Sequence, residues 1–509
     1  MQRHLLRLSK NSIVYGLSSM SVPIVNFFLI PLYTSWLSVD DYGVLSIFTT
    51  TQLIVIFIAY MGIVPHAMLR FFFQYKEKSE QEEVISTALI SLAVVTLVMC
   101  LALGASSGLL SSLFFQSHQY ASGFLVVFLA VFFDAGVTVA MVVFRAREEP
   151  GKYVTFALIQ LGLSVGLKVV FLTVLKKGVL GIVLADLISL AVLYVFLVGR
   201  LAFITKLRFS MRKLKEMLRF GLPMVPSSLA DFVLISSDRY FLQFMSGYPA
   251  VGTDAVGLYS LGYSFGRIAQ AIIMTPFNLA WMPFMLGVSE EKNAKQLYSS
   301  TLTYLVFAGV FVVLGLSVLS EDVIRIMARS TEYYDAYKVV PLLALSYLFL
   351  GCSYALQVGI YLEKKTTSIP LMVGGAAVLN LVLNFLLIPG FGMMGAAIAT
   401  AVSMLVLPIA SYFVSRRYYP IQYDLVRIAK PFLAAVPLYV ASLYITNEST
   451  VLEGLLRATT LLGYPVLLYA LRFYAPGELR SARSMAGSVL TDVRERLAGI
   501  GRVGRGRRP

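Results

Sequence analysis

The sequence predicts an all-α integral membrane protein of about fourteen transmembrane helices, and three observations predict it. Of 509 residues, 58% are hydrophobic and only 14% are charged, with a mean hydropathy of +0.78. Soluble domains carry about 25% charged residues, so this chain has more apolar surface than a water-soluble fold can hide. The apolar runs are also unbroken: Val84 to Ser117 carries no charge, and neither does Gly43 to Leu69, with His66 counted as neutral. Roughly 20 apolar residues in a helix cross about 30 Å of hydrocarbon. Finally, the runs lack the alternating segments of about ten residues that a membrane β-barrel requires.

Each element follows in order. Span one, 12–37, is uncharged and follows a short basic segment; it exceeds the apolar core of a signal peptide, about 7–15 residues, and so reads as a retained helix. Spans two to six are expected at 43–65, 84–108, 119–144, 154–175 and 180–203. Leu207, Met211, Leu214 and Leu218 then share one helical face, with Arg208, Arg212, Lys213 and Lys215 elsewhere. That pattern predicts an amphipathic linker on the membrane surface. Spans seven to twelve are expected at 219–245, 257–287, 296–319, 339–361, 367–388 and 394–414, and spans thirteen and fourteen at 430–446 and 455–472. The organisation is thus a six-helix bundle (1–203), the linker (204–218), a second six-helix bundle (219–416), spans thirteen and fourteen (417–472) and a basic tail (473–509). Ser320 to Tyr337, with Glu321, Asp322, Glu332 and Asp335, reads as a solvated outer loop.

The two bundles repeat one another. Tyr15-Gly16-Leu17 opens span one as Phe220-Gly221-Leu222 opens span seven. Gly43 and Ser46 of span two correspond to Gly257 and Ser260 of span eight. Gly178, Gly181 and Ala185 of span six correspond to Gly392, Gly395 and Ala399 of span twelve. Six spans per repeat leave both bundles in the same orientation, around an axis along the membrane normal. Two parallel bundles around a central cavity suit alternating access.

Charge placement fixes an orientation and excludes several functions. Most Lys and Arg lie in alternate connections; the opposite side holds only Lys176, Lys177, Arg325, Arg329 and Lys338. By the positive-inside rule the N- and C-termini are cytoplasmic. The net charge of +15 resides in short loops between apolar runs, so no nucleic-acid partner is expected. Cys100 and Cys352 lie within apolar runs, His4, His66 and His118 at segment ends, and no zinc spacing or phosphate loop occurs. Neither a metal nor another cofactor is expected, and no loop is large enough to carry an enzyme's acid and base.

Ile30-Pro31-Leu32-Tyr33 followed by Leu37-Ser38-Val39-Asp40-Asp41-Tyr42-Gly43 resembles the opening of the polysaccharide transporter family. Ser237 to Leu242, Val256 to Ser260, Arg145-Ala146-Arg147 and Gly392 to Thr400 resemble the same family, so the likeness runs over roughly residues 10 to 470. It implies a transporter, placed in the cell membrane, that flips a polyprenyl-diphosphate-linked oligosaccharide, such as an O-antigen unit, to the outer leaflet. The superfamily also holds multidrug exporters and the peptidoglycan-precursor flippase. Ser12 to Leu37 has neither the arginines of the latter nor the carboxylate of the former. A drug or cation antiporter and a membrane polysaccharide polymerase are the alternatives.

Charges inside the spans carry the candidate site, because an ionised side chain at the bilayer centre costs about 2.5–3.5 kcal/mol on insertion scales. Lys168, Asp186, Asp238, Arg239 and Arg267 share one depth band. In the functional reading Lys168, Arg239 and Arg267 hold the diphosphate, with Arg70 and Arg145 at the cytoplasmic mouth. Asp134, Asp186, Asp231 and Asp238 are then the carboxylates available to a coupling H⁺ or Na⁺. The other reading makes Asp238, Arg239, Asp186 and Lys168 structural ion pairs, Asn380 and Asn384 interhelical glue, and Arg70 and Arg145 plain positive-inside residues. Membrane lipid is the remaining partner.

Overall fold

The computed structural model describes residues 24–25, 27–245, 250–446, 449–475 and 477, and every regular element among them is helical. The expectations for Tyr15-Gly16-Leu17 and for nearly all of the basic tail fall outside the described residues. Twelve helices among those described are long and apolar enough to cross a membrane. Ser368–Tyr418 is a single run of 51 residues broken at Gly392 (φ 51°, ψ −131°). It doubles back there, since Asn384 and Thr400 both reach Asp238, and so supplies spans eleven and twelve. Only the end of span one, Ile30–Trp36, is long enough among the described residues to count as an element. The set of about fourteen spans is thereby accounted for, in a multi-pass membrane protein. Large apolar side chains such as Val195, Phe203 and Leu371 stand exposed on its flanks, where lipid is their solvent.

The stretch that resembles the family opening has a local physical task. Ser38 accepts a bond from Asp41 N–H at 3.0 Å, and the Asp41 carboxylate accepts one from Ser38 N–H at 3.3 Å. This reciprocal capping box starts span two, Val39–Ala59.

Spans two and eight, the latter beginning as Thr253–Gly266, form the seam between the bundles, and the seam obeys the repeat. A Cβ on Gly43 would meet the carbonyl oxygen of Thr253 at 2.0 Å, and one on Gly257 would meet that of Val39 at 2.2 Å. Val39 and Thr253 are equivalent in the repeat, as are Gly43 and Gly257, so the two contacts are symmetry mates. On the axis between them, the hydroxyls of Ser46 and Ser260 lie 2.5 Å apart. Only glycine permits such close backbone approach. The same end of the seam is sealed by Tyr333, whose hydroxyl donates to the carbonyls of Leu37 and Ser38 at 3.2 and 2.7 Å.

Two expectations need correction. Ser320 to Tyr337 is not a solvated loop: span nine continues as one helix, Ala294–Met327, followed by a 3₁₀ helix, Thr331–Val339. Arg457 of span fourteen draws Glu321 and Asp322 inward, with nitrogen–oxygen distances of 2.8 and 3.3 Å, and also pairs with Glu453 at 2.5 Å. Nor does the linker helix, Met211–Gly221, simply rest on lipid. Lys213 is buried in an ion pair with Glu83 at 2.7 Å, and Met217 one turn later is buried as well. Leu207 and Met211 are exposed instead. A basic residue met its carboxylate partner and turned the helix onto the first bundle.

Candidate functional site

Two clefts meet at the centre of the molecule. One, of about 570 Å³, lies between the bundles, with Tyr33, Tyr42 and Ser46 on one side and Arg239, Tyr263 and Arg267 on the other. The second, of about 560 Å³, lies within the first bundle, with Asp134, Arg145 and Gln160 in its wall. Lys168 and Asp186 line both clefts and so mark where they join.

Lys168 and Asp186 face each other from neighbouring spans. Span five starts with the helix Pro150–Val169, within which the only buried residues are Ser164 and Lys168. Both touch Asp186: Lys168 Nζ lies 2.8 Å from Oδ1, and Ser164 donates to the same oxygen at 2.6 Å. The Asp186 side chain remains 37% exposed. This helix is therefore anchored through two polar residues, and the ion pair stays open to the cleft.

Asp238 and Arg239 are neighbours without being partners. Asp238 is fully buried and accepts three bonds, from Tyr259 at 2.5 Å, Asn384 at 2.7 Å and Thr400 at 2.7 Å. That hub ties spans seven, eight, eleven and twelve, and Asn384 also donates to Asn380 at 3.0 Å. Arg239 points the other way, stacks over the Tyr263 ring at 4.4 Å and donates to the Ile235 carbonyl at 3.1 Å. Adjacent residues on a helix diverge by about 100°, which sends one inward and the other to the cleft. Asp238 with Arg239 is thus no ion pair, whereas Lys168 with Asp186 is one.

Arg267 is exposed at the cleft, with no ion pair and no side-chain hydrogen bond among the described residues. Leu53, its equivalent in the repeat, lines the same cleft. The remaining candidates scatter. Arg145 lines the first-bundle cleft, and Asp134 lines it while accepting a bond from the Tyr60 hydroxyl. Asp231 is exposed on span seven and lines neither cleft. Arg70 lies outside both, stacked over Phe220 at 4.3 Å.

Two features went unread in the sequence. Tyr33, Tyr42, Tyr263 and Tyr347 line the central cleft, with Tyr347 donating to the Tyr263 hydroxyl at 2.8 Å. The spacing of Tyr259, Tyr263 and Arg267, four apart along span eight, was the available signal. Two of the three central-cleft cations also stand just before a π turn: Lys168 before Val170–Val174, and Arg267 before Gln270–Met274. Such turns gather at functional sites. Chemically, the cleft offers cations for a phosphate and an array of phenols and hydroxyls for a polyol.

Comparison with known proteins follows this geometry. A search among curated proteins finds no match. Among solved structures, one titled "Lipid II flippase MurJ, inward closed conformation" aligns at a TM-score of 0.72 and 14% identity, covering 90% of this chain and 99% of that one. An inward-facing multidrug resistance MATE family transporter of the MOP superfamily aligns at 0.64 and 15% identity, covering 82% and 99%. A MOP superfamily transporter from Pyrococcus furiosus, whose title reports reversed polarity of the binding pocket, aligns at 0.53 and 15%, covering 84% and 96%. At these identities the likeness is one of fold. The family model described as polysaccharide biosynthesis protein matches residues 8–289, more than half of the chain. The chain therefore belongs to the polysaccharide biosynthesis protein family.

Proposed function

We propose that the protein is a secondary transporter that flips a polyprenyl-diphosphate-linked oligosaccharide from the cytoplasmic to the outer leaflet of the cell membrane, for surface polysaccharide assembly. The basic side, and with it both termini, faces the cytoplasm. The saccharide crosses through the central cleft while the lipid tail stays in the bilayer, and the bundles rock about the seam between spans two and eight. Lys168, Arg239 and Arg267 meet the diphosphate, and the phenols of Tyr263 and Tyr347 meet the sugars. Arg145 sits at the cytoplasmic approach. Asp134 and Asp186, both on cleft walls, are the carboxylates open to a coupling H⁺ or Na⁺; Asp238 is committed to its hub.

Arg267 carries the proposal. Its guanidinium stands in the cleft without an ionic partner, at a position where the other bundle has Leu53. Packing common to both bundles does not require a cation there, and a visiting anion does. Arg267→Ala is expected to abolish flipping while folded protein stays near wild-type level, because no buried carboxylate is stranded. Arg267→Lys restores part of the flipping, keeping the charge but losing the two-pronged hydrogen bonding that a diphosphate accepts. The check is a flipping assay on reconstituted protein beside quantification of detergent-extracted protein. Wild-type flipping by Arg267→Ala would remove this residue from the site.

A further inference from the structure

We propose that a third, basic cleft, between spans nine, twelve and thirteen, binds the phosphate of an anionic phospholipid. It encloses about 780 Å³ and shares no lining residue with the two central clefts. It is therefore separate from the path proposed for the transported molecule.

The lining brings together Lys295 from span nine, Arg416 from span twelve and Arg427 from span thirteen. The one carboxylate among the lining residues, Asp424, caps span thirteen by accepting the Arg427 N–H at 2.9 Å. Lys295 and Arg416 have no carboxylate partner among the described residues. Lys295 lies 4.8 Å from the Tyr419 ring, and Arg416 donates to the Tyr412 hydroxyl at 3.3 Å. These are weak holds for two cations, and both leave positive charge facing the cleft. In the same wall, the Tyr423 hydroxyl is buried without a hydrogen-bond partner among the described residues, which is costly unless something polar visits. Basic residues merely obeying the positive-inside rule would lie dispersed on the surface. Here they converge from three spans on one cleft.

Position argues for a lipid rather than free phosphate. Phe413, Leu425 and Val426, beside these lining residues in sequence, are exposed apolar side chains, so hydrocarbon reaches the rim of the cleft. A phospholipid can leave its acyl chains there and set its phosphate between Lys295 and Arg416. Basic pockets between membrane helices on the cytoplasmic side have this chemistry in general.

Native mass spectrometry of the full-length protein, titrated with phosphatidylglycerol or with phosphatidylcholine, tests the site. Each cation close to an anionic headgroup is worth about fivefold in affinity. Lys295→Gln and Arg416→Gln should each weaken phosphatidylglycerol binding about fivefold, and the pair about 25-fold, with phosphatidylcholine binding unchanged. Lys364→Gln with Lys365→Gln, two exposed lysines outside the cleft, should change neither. Undiminished phosphatidylglycerol binding in both single variants overturns the site. An equal loss in the Lys364/Lys365 variant overturns it in favour of a diffuse surface field. Inorganic phosphate binding as tightly as phosphatidylglycerol overturns the lipid as its ligand.

Discussion

Asp186 and Thr400 occupy equivalent positions in the two bundles, each one residue after a matching Gly, Gly, Ala pattern, yet their side chains do opposite things. The backbone is duplicated closely: Gly178 and Gly392 both adopt a positive φ, 54° and 51°. In the first bundle Asp186 faces the cleft and meets Lys168. In the second, Thr400 turns inward and donates to the buried Asp238. The first bundle keeps the Asp186 carboxylate at the wall of the cavity, and the second packs that of Asp238 away among neutral donors. Duplication fixed the scaffold, and the polar chemistry diverged upon it. Loss of the buried Asp238 should accordingly cost stability, and loss of the cleft pair at Asp186 should cost transport.

The hub of the second bundle should give the largest effect. Asp238→Ala leaves the donors of Tyr259, Asn384 and Thr400 buried without an acceptor, at about 1–3 kcal/mol each. It should sharply deplete folded protein in a fluorescence-detected size-exclusion assay, and Asp238→Asn, which keeps one accepting oxygen, should recover part of it. Near-normal folding of Asp238→Ala would remove the hub from the stability of the second bundle.

The glycine pair gives the next effect. Gly178→Ala pays only for the left-handed conformation, about 1–2 kcal/mol, since nothing lies within 4 Å of its added Cβ. Gly392→Ala adds a clash with the Ala250 carbonyl oxygen, 2.5 Å away, and should lower the melting temperature distinctly more. Equal losses would mean that the two turns are alike in packing as well as in backbone.

Smallest in stability is the open ion pair. Lys168→Ala, which leaves behind an Asp186 side chain that is 37% exposed, should change stability by less than about 1 kcal/mol while lowering flipping. A melting curve beside a flipping assay separates the two, and a stability loss as large as that of Asp238→Ala would erase the contrast between the bundles.

Much of this was legible in the sequence. Hydropathy alone placed the spans, because a bilayer demands long apolar runs. The repeat was legible because Gly43, Gly257, Gly178 and Gly392 serve backbone contacts or turns that no other residue fits. The cost of buried charge singled out Lys168, Arg239 and Arg267, and all three line the central cleft. Partnerships were not legible. Asn384 and Thr400 reach Asp238 only because the chain reverses at Gly392, and Arg457 reaches Glu321 only because span fourteen returns to span nine. Long-range pairing of this kind leaves no local spacing to read. The depth of a charge is a property of its own helix; the partner it meets belongs to the whole packing.

The glycine contacts of the seam have a mechanical consequence. Backbone touching backbone at Gly43 and Gly257 is held by dispersion, and a gap of about 0.5–1 Å already forfeits a quarter to a half of such attraction. The paired contacts flank the Ser46 and Ser260 hydroxyls on the axis, so one cannot loosen without straining its mate. Such a joint behaves like a snap fastener: it grips fully at contact and gives up much of its hold within an ångström.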